Sequence, residues 1–170
     1  MTLDIILDAD PEWDSNISWD ELARSAAIAA IAESAFPKLA EGPRAVEISL
    51  RLASDDEVRL LNAQWRGKDK TTNVLSFPMA EGAELVGAEG EGPGLMLGDI
   101  ILAHGVCGRE AEAKAMPIDR HAAHLMVHGT LHLLGYDHAD EAQAADMEAR
   151  EVRALARIGI ADPYRQEATA

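Results

Sequence analysis

The chain has 170 residues and a formal net charge of −15, a length that suits one domain with its own core. That charge argues against broad, nonspecific nucleic-acid binding, so a polyanion would have to be met at a local basic site. Cys107 is the single cysteine, which excludes an intrachain disulfide and a thiolate metal cluster; with no basic leader and no apolar run approaching ~18 residues, a reducing, cytoplasmic setting without a membrane is expected.

LDIILD, residues 3 to 8, is rich in branched aliphatics and predicts a buried first strand. Ser18 with Glu21 forms a capping box, and the alanine-rich run to about Ala35, ahead of Pro37, predicts a helix. Val46, Ile48, Leu50 and Leu52 alternate through residues 45 to 52, the period of a half-buried strand. Ser54 and Glu57 repeat the capping box, and Val58, Leu60, Leu61 and Trp65 supply the apolar face of a helix ending near Gly67. NVLSF, residues 73 to 77, predicts a short strand stopped by Pro78, and residues 94 to 103 predict another, with Gly98 as a bulge. Between them, Ala80 to Gly94 is dense in glycine and glutamate and predicts a flexible, solvated acidic loop.

Residues 106 to 115 predict a short helical segment, and Pro117 opens a longer helix to about Leu134, closed by Gly135. Asp140 caps a last helix through about Arg157, with Met147, Val152 and Leu155 facing inward, before GIADPY leads into a polar tail at about 165 to 170. No repeat or linker divides the chain, so residues 1 to 170 read as one domain. The order β-α-β-α-β-β followed by helices points to a small α+β packing.

HGTLHLLGYDH, residues 128 to 138, sets three imidazoles at relative positions 0, 4 and 10 with a glycine at 7. Residues four apart share a helix face, so His128 and His132 can converge on one ion. A left-handed Gly135 would reverse the chain and bring in His138. Three neutral imidazoles would hold one divalent ion, zinc being the first choice, with the fourth tetrahedral position open, as in catalytic sites. A lone helical histidine is more often a packing residue; three at this spacing reverse that preference. His121 and His124 precede the motif on nearly the same face, and packing or hydrogen bonding is the plainer reading for both. His124, one turn from His128, is the better candidate to support the site. His104, near a strand end, carries no signal.

The spacing matches HExxHxxGxxH of the metzincin metalloproteases, except that Gly129 replaces the glutamate general base. A zincin-like metalloprotease or peptidase is therefore the second reading, and it would need another carboxylate on the metal water, such as Glu148 or Glu151. A third reading is a binding protein with a structural metal, which would need a fourth protein ligand.

Together with NAQWRGKDKTTNVLSFP and LGDIILA, the histidine motif resembles the YbeY family of endoribonucleases, ribosomal RNA maturation factors, over about residues 44 to 164. The resemblance implies a zincin-like α+β fold: a small mixed sheet packed with helices, the metal site on a late helix and the following turn. It implies a divalent ion on His128, His132 and His138, and maps the family's WR arginine onto Arg66. It also implies single-strand-specific RNA cleavage in 3′-end maturation of small-subunit ribosomal RNA and in ribosome quality control. Single-stranded or ribosomal RNA, the small ribosomal subunit and ribosome-assembly proteins are the implied partners. Lys70 and Thr71 depart from the family pattern, which often has a proline nearby.

Arg66 suits a catalytic role because a guanidinium offers a planar fork to phosphate oxygens. With Lys68 and Lys70 against Asp69 it makes the locally positive stretch of an acidic chain; a salt-bridged surface arginine is the competing reading, and the resemblance decides between them. The expected chemistry has the metal activate water or polarise a phosphate oxygen while Arg66 holds the scissile phosphate. Asp137 is a candidate base, equally read as fixing the turn through backbone hydrogen bonds.

Overall fold

The structure, a computed structural model, describes residues 3–86 and 92–164. Its frame is a four-stranded sheet in the order β1-β2-β4-β3. Strands β1 (Leu3–Ala9), β2 (Val46–Ala53) and β4 (Leu95–Ala103) run parallel, and β3 (Val74–Pro78) pairs antiparallel with β4 at the edge. The fold is thus α+β with a mixed sheet.

Side-chain alternation gives the sheet two covered faces. Ile48, Leu50 and Leu52 of β2 and Leu97, Ile100 and Leu102 of β4 enter the main core. There they join Ile31 of α1 (Trp19–Ala32) and Met126 and Leu131 of α5 (Ile118–Leu133). Leu75 and Phe77 of β3 and Ile101 and Ala103 of β4 point the other way. They meet Val58 and Leu61 of α2 (Asp55–Arg66) and Val106 of α4 (His104–Ala113). In β4 the inward set shifts from odd to even positions because Glu47 pairs with Met96 but Ile48 with Gly98, which makes Leu97 the extra residue of a bulge.

Helix α5 is buried along most of its length, from His121 to Val127 and again from Gly129 to Leu131. Helix α6 (Glu141–Arg157) packs against it, starting where the Asp140 side chain accepts from the Gln143 N–H. Glu33, just after α1, ties α1 to α6: its carboxylate accepts from Arg153 Nε (2.8 Å) and Arg157 Nε (2.5 Å), and its carbonyl accepts from Arg150.

Several expectations shift. Ser18 makes no side-chain cap; the buried Trp19 ring instead anchors the helix start by donating to the Asp14 carbonyl. The acidic stretch expected as a solvated loop contains α3 (Gly82–Val86), which buries Leu85. Residues 87–91 of that stretch, and the polar tail at 165–170, lie outside the described residues. Helix α4 begins at His104, ahead of the expected position, because its cap comes from far away in sequence: Asp55 Oδ1 accepts from the N–H groups of Gly105 (2.8 Å) and Val106 (3.1 Å). No helix among the described residues is long and apolar enough to cross a membrane.

Candidate metal centre and its cleft

His128 and His132 project one turn apart from α5, with ring centroids 4.6 Å from each other. The helix then closes in a Schellman pattern: Tyr136 N–H donates to the Leu131 carbonyl (3.1 Å) and Gly135 N–H to that of His132 (3.0 Å). Gly135 sits at φ +97°, and a Cβ there would meet nothing within 4 Å, so the position demands glycine for its backbone and not for space. The reversal carries His138 to 5.2 Å from His132 and 5.7 Å from His128, centroid to centroid. One ring nitrogen from each of the three lies within 4.8 Å of the others. Asp137 steadies the turn, its carboxylate accepting from the His138 N–H at 2.7 Å.

Behind the triad lies a carboxylate on α6. Glu151 is 1 % exposed, with Oε2 3.3 Å from His128 Nδ1 and Oε1 2.6 Å from His124 Nε2. Tyr164 donates its hydroxyl to the same Oε1 at 2.7 Å. Burial works against the charge of Glu151, but the hydrogen bonds from His124, His128 and Tyr164 outweigh it and hold the carboxyl down at about 2. An ionised acceptor makes His128 Nδ1 the donor and leaves Nε2 with the lone pair a metal needs. Burial, then the neighbouring His128 and His138, pull His132 down to about 4, so its ring is neutral at pH 7, the ligand form. The donor set therefore fits a divalent ion such as zinc.

The triad opens onto a cleft of about 670 Å³ whose far wall carries Arg66, Lys68 and Lys70. Arg66 donates from Nη2 to the Ser76 carbonyl (2.6 Å), and its guanidinium lies 5.3 Å from the Phe77 ring centroid. Asp69, the acid among these cations, is engaged by Arg59 at 2.8 Å. The basic loop is held in shape by buried Asn62, whose side-chain amide donates to the Lys70 carbonyl (2.8 Å) and whose backbone carbonyl accepts from the Lys68 N–H (3.2 Å).

A family model described as Endoribonuclease YbeY matches residues 12–159. The chain belongs to that family. Endoribonuclease YbeY of Novosphingobium aromaticivorans is 53% identical over 163 residues, 95% of this chain and 95% of that protein. Endoribonuclease YbeY of Rhizorhabdus wittichii is 47% identical over 163 residues, 95% and 96% of the two chains. A Thermotoga maritima protein solved in solution shares the fold, with a TM-score of 0.54 at 18% identity over 99% of each chain.

Within this YbeY-family chain the structure brings His128, His132, His138, Asp137, Arg66, Lys68 and Lys70 to one cleft. His124 touches it only through Glu151. His121 is paired with Glu110 at 2.8 Å, and His104 faces Glu12 at 3.3 Å; neither belongs to the triad. Glu151, weighed from sequence as a carboxylate for the metal water, instead lies behind His128. Gly129 turns toward the sheet, where an added Cβ would meet Ile100 Cγ2 at 2.9 Å, so this helix position has no room for the glutamate of a protease. Sequence reasoning passed over Asn62 and Tyr164. The one available signal for Tyr164 was an aromatic in a chain with two tyrosines.

Proposed function

We propose that this chain is a metal-dependent endoribonuclease that cuts single-stranded RNA and acts in 3′-end maturation of small-subunit ribosomal RNA and in ribosome quality control. The observation that carries the reading is the meeting of three convergent imidazoles and Arg66 in one cleft of a YbeY-family fold. His128, His132 and His138 would hold the divalent ion, for which zinc is the first choice. Such an ion supplies Lewis acidity at neutral pH, toward a phosphate oxygen or a water.

The chain's own residues do the rest. Arg66 spends one N–H on the Ser76 carbonyl, which fixes the plane of the guanidinium and leaves its other donors for the oxygens of a scissile phosphate. Lys68 and Lys70 add point charges along the same wall and counter, locally, the net charge of −15. Glu151 keeps His128 in one tautomer, and Asp137 holds the turn under His138. Neither is cast as the general base. Because a net charge of −15 works against RNA binding, the small ribosomal subunit or a ribosome-assembly protein would supply further affinity, in the cytoplasm.

A structural metal would call for a fourth ligand, and the group of metal-competent side chains has three members among the described residues. Incubating the metal-loaded chain with end-labelled single-stranded RNA, with and without chelator, tests the proposal. Chelator-sensitive internal cleavage is expected, with loss of at least about 100-fold in Arg66→Ala at unchanged metal content. Equal cleavage by Arg66→Ala would remove the arginine from the reaction, and no cleavage by the loaded wild type would end the nuclease reading.

A further inference from the structure

On the far side of Arg66 from the triad, the second face of the sheet carries an apolar groove of about 480 Å³. Leu61 and Trp65 of α2, Phe77 of β3, Met79 and Ile101 line it. Trp65 is 66% exposed and Met79 58%, whereas Trp13 and Trp19 are buried at 3% and 5%. Adjacent helix residues point about 100° apart, so Arg66 lines the cleft while Trp65 lines the groove. The partition between the two is the stack of Arg66 on Phe77.

The cations of the cleft on one side and the exposed Trp65 indole on the other match the two halves of a nucleotide: phosphates meet the cations, and an unpaired base stacks on the ring. Asp99 and Arg51 also line the groove; a base carries no net charge, so Asp99 does not repel it as it would a phosphate, and Arg51 is held by Asp8 and Glu57. We propose that the groove is a base-binding subsite in which Trp65 stacks an unpaired base of the same strand whose phosphate Arg66 holds. This deepens the RNA-cleaving reading and rests on it. It makes single-strandedness a requirement of the binding surface, since a paired base cannot leave its stack to reach the indole without unstacking.

With the other two tryptophans buried, the emission of Trp65 reports on the groove directly. The metal-loaded full chain is titrated with a short 2′-O-methyl oligoadenylate, chosen to slow cleavage, and with the same backbone made abasic. Wild type, Trp65→Ala and Trp65→Phe are compared at matched metal content. Oligoadenylate should quench the exposed-tryptophan emission of the wild type and the abasic strand should not. Trp65→Ala should bind oligoadenylate about tenfold more weakly, with KM for cleavage of unmodified RNA raised and kcat retained, while Trp65→Phe keeps most of the affinity. The abasic strand should bind wild type and Trp65→Ala alike. Binding without quenching, or unchanged affinity in Trp65→Ala, overturns the subsite while leaving the nuclease reading intact. A wild-type dimer that Trp65→Ala dissociates in sedimentation also overturns it, by assigning the groove to a second copy. Failure of the loaded wild type to bind or cleave any strand removes both readings.

Discussion

Glu151 lies 3.3 Å from His128 Nδ1 and 2.6 Å from His124 Nε2, so one buried carboxylate couples α6 to the helix that presents the triad. Tyr164, past the end of α6, donates to the same group, which makes the chain after the last helix part of the support of the centre. Buried charge is tolerated here because each carboxylate oxygen has a partner.

Glu151→Gln keeps the shape and removes the charge that makes His128 Nδ1 a firm donor. Zinc affinity, measured by competition with a chromophoric chelator, should fall roughly 10- to 100-fold with the fold intact. An unchanged dissociation constant would mean that the carboxylate serves packing alone.

Gly129 bears on the protease reading. Gly129→Ala should lower the unfolding free energy by about 1 to 3 kcal/mol, read as a lower urea midpoint at constant m, since its Cβ would press on Ile100. Gly129→Glu should gain no hydrolysis of casein; a folded Gly129→Glu that cleaves casein would revive the peptidase assignment.

Gly135→Ala places a Cβ at φ +97° and should cost about 1 kcal/mol in the metal-free chain. Because His138 follows from that turn, the rise in Tm on adding zinc should also shrink relative to wild type. An equal zinc-induced rise would show that His138 reaches the ion without the left-handed turn.

What could be read in the sequence was local. The capping box of Ser54 and Glu57 appears as a 3.2 Å bond from Glu57 N–H to Ser54 Oγ, and the spacing of the three histidines, with Gly135, encoded both the helix face and its reversal. What could not be read was a meeting of distant residues. Glu151 and His128 lie 23 positions apart on separate helices, and Asp55 caps α4 from 50 positions away. Periodicity told that α6 has an inward face without telling which side chain of α5 it would meet. The α3 turn was hidden for a related reason: Leu85 alone supplies its buried contact, too little to stand out as a period within a run of glycine and glutamate.

Glu33 supplies a pH test away from the centre. Hydrogen bonding to Arg153, opposed by burial and supported by Arg157, holds its carboxyl below the usual value. A depressed folded value gives stability that is present above the unfolded pKa of about 4.3 and is lost as pH falls through the folded value. Glu33→Gln should therefore lower Tm by a few degrees at pH 7, for about 1 kcal/mol, and the difference should vanish in strong acid. A pH-independent difference would mean that the clamp acts by shape and not by charge.

In the proposed function His128, His132 and His138 hold one catalytic ion. Metal content per chain, measured by elemental analysis on folded wild type and His132→Ala after equilibration with zinc and removal of excess, tests it most directly. One ion per wild-type chain and a near-complete loss in the variant are expected, with single-stranded RNA cleavage lost in parallel. Equal metal content in the two proteins would contradict it.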